Sequence, residues 1–508
     1  MIVSVLTILA GLLGLYWILH RIFIPTHFPD EPHLIPSSIP FIGHVIGMVR
    51  HGSGYYGKVT SKFNLPIYTL GVPRGKIYIV NSPHLIYAID RRPKTISFAP
   101  YVVQFAKRIL APSRRAIDAL EEDLLEKNGP VGLRPETLRV MHDCLAPGEH
   151  LQAVTQAMIR AVTSLIDSEH QTKMKDEVSL FNWTRNIVTK ASTDAIFGAE
   201  ENPFKETAVY NGFWDIDEDF VLLGINILTA MSAPKGSRGR KLFFNAMRKY
   251  YEANGHKTAS TLIKRRYEVS RKYGLSQVDI EHFNLSICYG LLVNTVPGTS
   301  WVLCYVYSNS SLLAKLREDV ESLVQKENSQ TITVNLHAII TGCKLLTSLV
   351  REVLRLHSTN ASGRVVLEDT LLDGKYLLKK DAILLIPSAQ LHSSESVWGP
   401  TASSFDPERF IKEKETSSAH KVPASAYRVF GSGASICPGR HFASNEILAI
   451  LVIMLLRYDV IPTQGQWAMP KAKSHITTSI MSPVDDIKIQ FSERQEVKGS
   501  KWVFCWQE

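Results

Sequence analysis

The sequence predicts a mainly α-helical fold with small β-sheets. Three observations carry this expectation. From about residue 83 to 324 the apolar residues recur at helical spacing, broken by polar turns. Runs suited to strands are short and few: 67–70 and 76–80 around Pro73-Arg74-Gly75, then 363–367, 376–378 and 382–386 around Asp373-Gly374. The chain has 508 residues and 45% hydrophobic content, enough for one large core or two to three smaller ones, and shows no internal repeat.

Residues 2–19 carry no charge over 18 positions, the lower edge of a membrane span, and Ile22 and Ile24 extend the run. A cleaved signal peptide would want basic residues before the run and a small-residue cleavage site after it, and neither is present. The expectation is a retained transmembrane anchor over residues 1–24, with Arg21 placing the downstream side in the cytosol. Pro25, Pro29, Pro32, Pro36 and Pro40 cannot propagate a helix, so 25–44 reads as a stiff, extended hinge.

The net charge of +9 suits an acidic membrane surface or an acidic protein partner, and no nucleic-acid-binding motif is visible. A basic run at 235–249 holds Arg238, Arg240, Lys241, Arg248 and Lys249 and follows the apolar stretch 213–231. It reads as a solvated face, with contact to acidic lipid as the rival. Six cysteines in so long a chain, with no CxxC pair, make neither a disulfide framework nor a zinc site, and fit a reducing compartment.

Residues 179–198 form an amphipathic helical pattern with Gly198 as its stop. Residues 285–307 read as a long, buried helix interrupted by Pro297 and Gly298. Such a kink is either tolerated by packing or makes room for a ligand. In the helix 345–357, Glu352 and Arg355 share one face. That is a surface bridge unless it is buried, where it needs a further partner, for which Arg409 is the candidate. Residues 472–493 read as a last hairpin.

One stretch stands apart: Phe430-Gly431-Ser432-Gly433-Ala434-Ser435-Ile436-Cys437-Pro438-Gly439-Arg440, followed by an apolar helical run to about Leu456. Pro438 suits the first turn of that helix, which puts Cys437 at its N-terminus, where free N–H groups and the dipole favour a thiolate. The glycines at 431, 433 and 439 allow positive φ and the close approach of a large flat ligand. Such a thiolate serves as a nucleophile, a redox thiol or a metal ligand.

The string as a whole resembles the haem-binding loop of the cytochromes P-450: Phe430, two residues, Gly433, three residues, Cys437, one residue, Gly439. Glu352-x-x-Arg355, His392 to Trp398, Pro407-Glu408-Arg409-Phe410 and the kinked central helix follow the order of that family, so the resemblance covers nearly the whole chain. It departs at two places. Ser435 stands where the family usually has an Arg that pairs with a haem propionate, and Arg364 matches another propionate-binding position. Val293-Asn294-Thr295-Val296-Pro297 replaces the usual acid–Thr pair that steers protons to dioxygen. Asn294-x-x-Pro297, Gly433 to Arg440 and the tail 480–487 resemble the sterol 7α-hydroxylase-like and prostacyclin-synthase-like branch.

The resemblance implies a cytochrome P-450 fold, with one catalytic domain over 45–508 behind the anchor and hinge. It implies haem b with Cys437 as the iron ligand, pushing electron density onto the metal. Arg364, Phe430 and Gly431 would contact the cofactor, and Asn294 and Thr295 would line the oxygen side. The implied activity is monooxygenation of a lipophilic terpenoid or steroid-like molecule. Electrons would come from NADPH through NADPH–cytochrome P-450 reductase, at the endoplasmic reticulum membrane with the catalytic domain in the cytosol. The rivals are a haem-thiolate isomerase or dehydratase that needs no reductase, and a non-catalytic haem sensor.

Overall fold

The computed structural model describes residues 26–37, 39, 42–122, 124, 126, 129–173, 177–326, 331–411, 422–473 and 478–507, with Gly11 and Gly14 besides. The expected anchor lies outside the described residues except at those two glycines.

A six-stranded sheet brings together segments from both halves of the chain. Strands β1 (Ile67–Val72) and β2 (Gly75–Val80) make an antiparallel hairpin, with Arg74 at φ 61° in its turn. Strands β3 (Ala361–Val366) and β4 (Ile383–Pro387) follow, β4 lying parallel to β2 and antiparallel to β3. The two-residue strands Leu34–Ile35 and Ile96–Ser97 close the edges. Tyr68, Leu70, Ile77 and Ile79 enter one apolar cluster, while Ile67, Tyr78, Val80, Leu384 and Ile386 enter another. Both faces are therefore buried, so these strands show apolar runs rather than a clean alternation.

The hinge region is partly seated in this sheet. Glu31 is buried, with Lys76 Nζ at 2.5 Å and the Tyr78 hydroxyl at 2.6 Å, and the Thr69 N–H donates to the His33 carbonyl. Desolvation of Glu31 is outweighed by these donors, which hold its carboxyl below the usual range.

The remainder is mainly helical, with small sheets besides. Helix α1 (Leu180–Phe197) stops at Gly198, whose φ of 89° needs the missing side chain. Helices α2 (Thr207–Glu218) and α3 (Pro234–Glu252) cross at Gly212 and Gly239, where a Cβ on Gly239 would lie 2.1 Å from the Gly212 carbonyl oxygen. The central apolar stretch forms two helices, α4 (Gln277–Leu292) and α5 (Thr295–Tyr307), rather than one kinked helix. Among the described residues this run, 277–307, is one long and apolar enough to cross a bilayer, but 89% of its most apolar window is buried inside the protein. It is a core element. Helix α6 (Lys344–His357) carries the Glu352–Arg355 pair, and α7 (Arg440–Arg457) follows the Cys437 loop, with every residue from 446 to 457 buried.

The tail departs from the expected single hairpin. Ala472–Lys473 pairs with Ser482–Pro483, but Lys488–Glu493 pairs with Tyr458–Pro462 and with Val178–Ser179. Packing explains it, because Ile489 is fully buried there and Phe491 meets Trp183 at 4.8 Å. A further parallel pair, Thr331–Asn335 with Lys501–Cys505, joins distant segments that carry no local pairing signal.

Candidate haem-binding site

The loop before α7 is shaped by its own backbone. The Cys437 N–H donates to the Phe430 carbonyl at 2.8 Å, Gly431 N–H to Arg428, and Ile436 N–H to Gly433. Gly431 and Gly433 have φ of 71° and 59°, and a Cβ on Gly433 would lie 2.9 Å from Asp90 Cβ. Gly439 is the N-cap of α7 at φ −82°, so Pro438 sits ahead of the first turn rather than in it. The backbone N–H groups of Gly439 and Arg440, together with the Arg440 charge, favour a Cys437 thiolate as the sequence suggested. Burial outweighs them and raises the thiol in the protein alone. A bound metal cation would reverse that balance, since a coordinating thiol loses its proton.

Cys288 and Cys304 are more deeply buried in α4 and α5, and burial pushes Cys288 far up and Cys304 to about 12. Of these three, Cys437 is the sulfur best placed to ligate. Among the described residues no group of three or more His, Cys, Asp or Glu stands ready to hold a metal, so Cys437 would act as a single protein ligand. Cys437 is half-buried, and a Cβ on Gly439 would sit in van der Waals contact with Sγ at 3.9 Å, so the glycine keeps that side of the sulfur uncrowded. These residues fit an iron porphyrin.

A buried charge network braces the loop from α6. Arg355 Nε and Nη2 grip the Glu352 carboxylate at 2.7 and 2.8 Å, and Arg409 Nε donates to the same carboxylate at 3.0 Å. Glu352 and Arg355 are 0% and 1% exposed, which excludes a surface bridge and makes Arg409 the third member. Arg355 Nη1 donates to the carbonyls of Ala402, at 2.7 Å, and of His392. The His392 Nε2 atom in turn accepts the backbone N–H of Arg428 at 2.9 Å. Burial and the Arg355 charge lower His392 to about 3, so its ring is neutral and can accept. An unbroken chain of contacts thus runs from Glu352 to the residue that opens the loop.

Two guanidinium groups converge on this loop. Arg364 on β3 is 4% exposed, donates to the Gly363 carbonyl at 2.7 Å and to Ser362 Oγ at 3.0 Å, and reaches Ser435 Oγ through Nη2. Burial, reinforced by the Arg428 charge, lowers it to about 10. Arg428 itself is fully buried and donates through Nη1 to Asp90, at 3.2 Å, and to Ser432. The sequence pointed to Arg364 and missed Arg428; the available signal was a charge inside the apolar run Tyr427-Arg428-Val429-Phe430.

Asn294 and Thr295 lie at the break between α4 and α5. Asn294 Oδ1 accepts the backbone N–H groups of Ser479, at 2.8 Å, and Ile480, at 3.1 Å, leaving Nδ2 as its remaining donor. Thr295 is buried as the first residue of α5, and its carbonyl accepts the Thr299 hydroxyl at 2.8 Å. Pro297, the third residue of α5, has no N–H for the turn before it. One turn upstream Gly290 is exposed between half-buried Tyr289 and buried Leu291, and a Cβ there would meet nothing within 4 Å. The central helix therefore borders open space just before its break. The 478–482 loop is held further by Trp301 Nε1 on the Met481 carbonyl at 2.6 Å and by Met481 N–H on the His357 carbonyl at 3.0 Å.

A family model described as Cytochrome P-450 matches residues 32–491. The cytochrome P-450 monooxygenase nodJ of Hypoxylon pulicicidum is 34% identical over 94% of this chain and 92% of its own length. A cytochrome P-450 monooxygenase of Gibberella zeae is 26% identical over 97% of this chain and 94% of its own. The cholesterol 7-alpha-monooxygenase of Cricetulus griseus is 29% identical over 41% of this chain and 44% of its own, in keeping with the sterol 7α-hydroxylase-like branch. The family model spans most of the chain and the Hypoxylon pulicicidum relative is similar along nearly all of it: this chain belongs to the cytochrome P-450 family, as an oxygen-incorporating oxidoreductase.

Proposed function

We propose that this monooxygenase hydroxylates a lipophilic terpenoid or steroid-like molecule of secondary metabolism, with electrons delivered from NADPH by a flavin reductase. The observations that support this reading are the Cys437 loop braced by buried Glu352 and Arg355 with Arg409, and a central helix whose break carries no acid. When bound, the haem supplies oxygen activation from an iron held by a thiolate. The chain's own part on the oxygen side falls to Asn294. Its Oδ1 fixes the 479–480 loop, and its Nδ2 supplies a donor where Val296 and Pro297 offer none. Thr295 supports that turn through its carbonyl. Arg364 serves the cofactor's carboxylates, with Phe430 and Gly431 shaping the loop.

The same proposal places the enzyme at the endoplasmic reticulum membrane behind the anchor 1–24, facing the cytosol. Val221, Ile225, Ile227, Leu228 and Met231 are exposed together, and Lys235, Arg238 and Lys241 are exposed just beyond them. An apolar knob with a basic flank suits the surface of an acidic membrane. The half-buried Arg440 at the Cys437 loop suits the acidic face of a reductase.

The test is turnover of the holoenzyme with reductase and NADPH under isotopically labelled dioxygen, across a panel of terpenoids and sterols. One labelled oxygen atom per product, formed only with NADPH, is the expected result. Product formed without NADPH or without label would replace this reading with the isomerase one.

A further inference from the structure

We propose that Arg428 binds one haem propionate through its Nε/Nη2 edge, taking over the task of the arginine that Ser435 replaces. The inference rests on the haem-thiolate reading above and goes beyond it. The Arg428 guanidinium is fully buried, and among the described residues its Nε and Nη2 atoms have no partner. Buried N–H groups of a charged side chain are rarely left unpaired, because the desolvation of each one is then uncompensated. These two atoms form the parallel fork of a guanidinium that takes a carboxylate side-on. The structure shows that use of the fork elsewhere: Arg355 holds Glu352 through the same Nε/Nη2 pair.

The local charges point the same way. Arg364 and Arg428 place two buried cations beside each other, and Asp90 is the carboxylate that faces Arg428. Two cations and one anion leave a positive charge that a propionate would offset. The fork is also held in place before any ligand arrives. Nη1 is fixed by Asp90 and Ser432, and the Arg428 backbone N–H is fixed by His392. Arg364 reaches Ser435, so both guanidinium groups flank the loop that carries Cys437.

The test uses the substrate-free holoenzyme with Arg428→Gln and Arg428→Lys. Two quantities are read: the propionate bending band in the resonance Raman spectrum, and the rate of haem transfer to apomyoglobin. Arg428→Gln is expected to shift the band and to release haem at least about tenfold faster, the change expected for one hydrogen bond to a charged group. Arg428→Lys keeps the charge but not the fork, and is expected to shift the band with a smaller rise in rate. Should the Gln protein fail to fold, the band of the Lys protein decides. An unmoved band overturns the proposal, even with faster haem loss, and leaves Arg428 as a staple for Asp90 and Ser432. A wild-type reduced carbon monoxide complex without a thiolate-type spectrum would overturn the underlying haem-thiolate reading instead, and this proposal with it.

Discussion

The side-chain carbonyl of Asn294 accepts the backbone N–H of Ser479 at 2.8 Å, joining the break in the central helix to a loop 185 residues away. A second N–H, from Ile480, completes the latch. Asn294→Ala removes latch and donor together, and Asn294→Asp keeps an acceptor for both N–H groups but loses Nδ2. We expect both variants to retain the thiolate-type spectrum. Asn294→Ala should lower the melting temperature and the product formed per NADPH, whereas Asn294→Asp should lower only the latter. Full coupling in Asn294→Asp would assign Asn294 to the latch alone.

Glu352→Ala should abolish haem retention. Removing one member of a buried charge network costs about 3–5 kcal/mol, comparable with much of a domain's stability. Arg409→Ala should cost less, because Arg355 still holds both carboxylate oxygens of Glu352. Haem content per polypeptide checks both. Equal, near-normal loading in the two variants would contradict the bracing role.

Stability should peak near pH 6.5. His357 and His392 are buried neutral, with burial lowering each from 6.5 to about 3. Below pH 6.5 the unfolded chain takes up protons that the folded one does not, so these groups lose stability as pH falls. Glu446 is fully buried against Ser192 Oγ at 2.8 Å, and burial raises it from 4.5 to about 8. The folded chain therefore keeps its proton over that range, and stability falls as pH rises from 4.5 to 8. Each group changes the slope by about 1.4 kcal/mol per pH unit. Denaturant unfolding across pH 5–8 should show the maximum, and Glu446→Gln should flatten the decline above it. An unchanged slope in that variant would mean that Glu446 is ionised in the folded protein.

Removing residues 1–24 should leave residual, salt-sensitive binding to vesicles of acidic lipid. Adding Leu228→Asp and Met231→Asp should abolish it, because both side chains are strongly exposed on the apolar knob. Cosedimentation measures this. Truncated protein that never sediments with vesicles would restrict membrane attachment to the anchor.

What was legible in the sequence was local or carried by spacing. The Phe430-to-Gly439 string located the loop, Gly198 ended α1, and the i,i+3 spacing of Glu352 and Arg355 placed them on one face. Arg409 was legible as their partner because a buried pair needs a third member. Arg428 was not, since nothing in its neighbours announces Asp90 or His392 across the fold. The tail was misread for the same reason: the partner of Lys488–Glu493 is chosen by packing around Ile489 and Phe491, not by its nearest turn. Pro297 marked the central break, but the acceptor role of Asn294 depends on a loop that only the folded chain brings near.

If Cys437 is the sulfur that holds the haem iron, the spectrum of the reduced carbon monoxide complex depends on it. Wild type and Cys288→Ser should both give the thiolate-type Soret band, and Cys437→Ser should lose it while the polypeptide remains folded. A thiolate-type band that survives in Cys437→Ser would mean that another sulfur holds the iron.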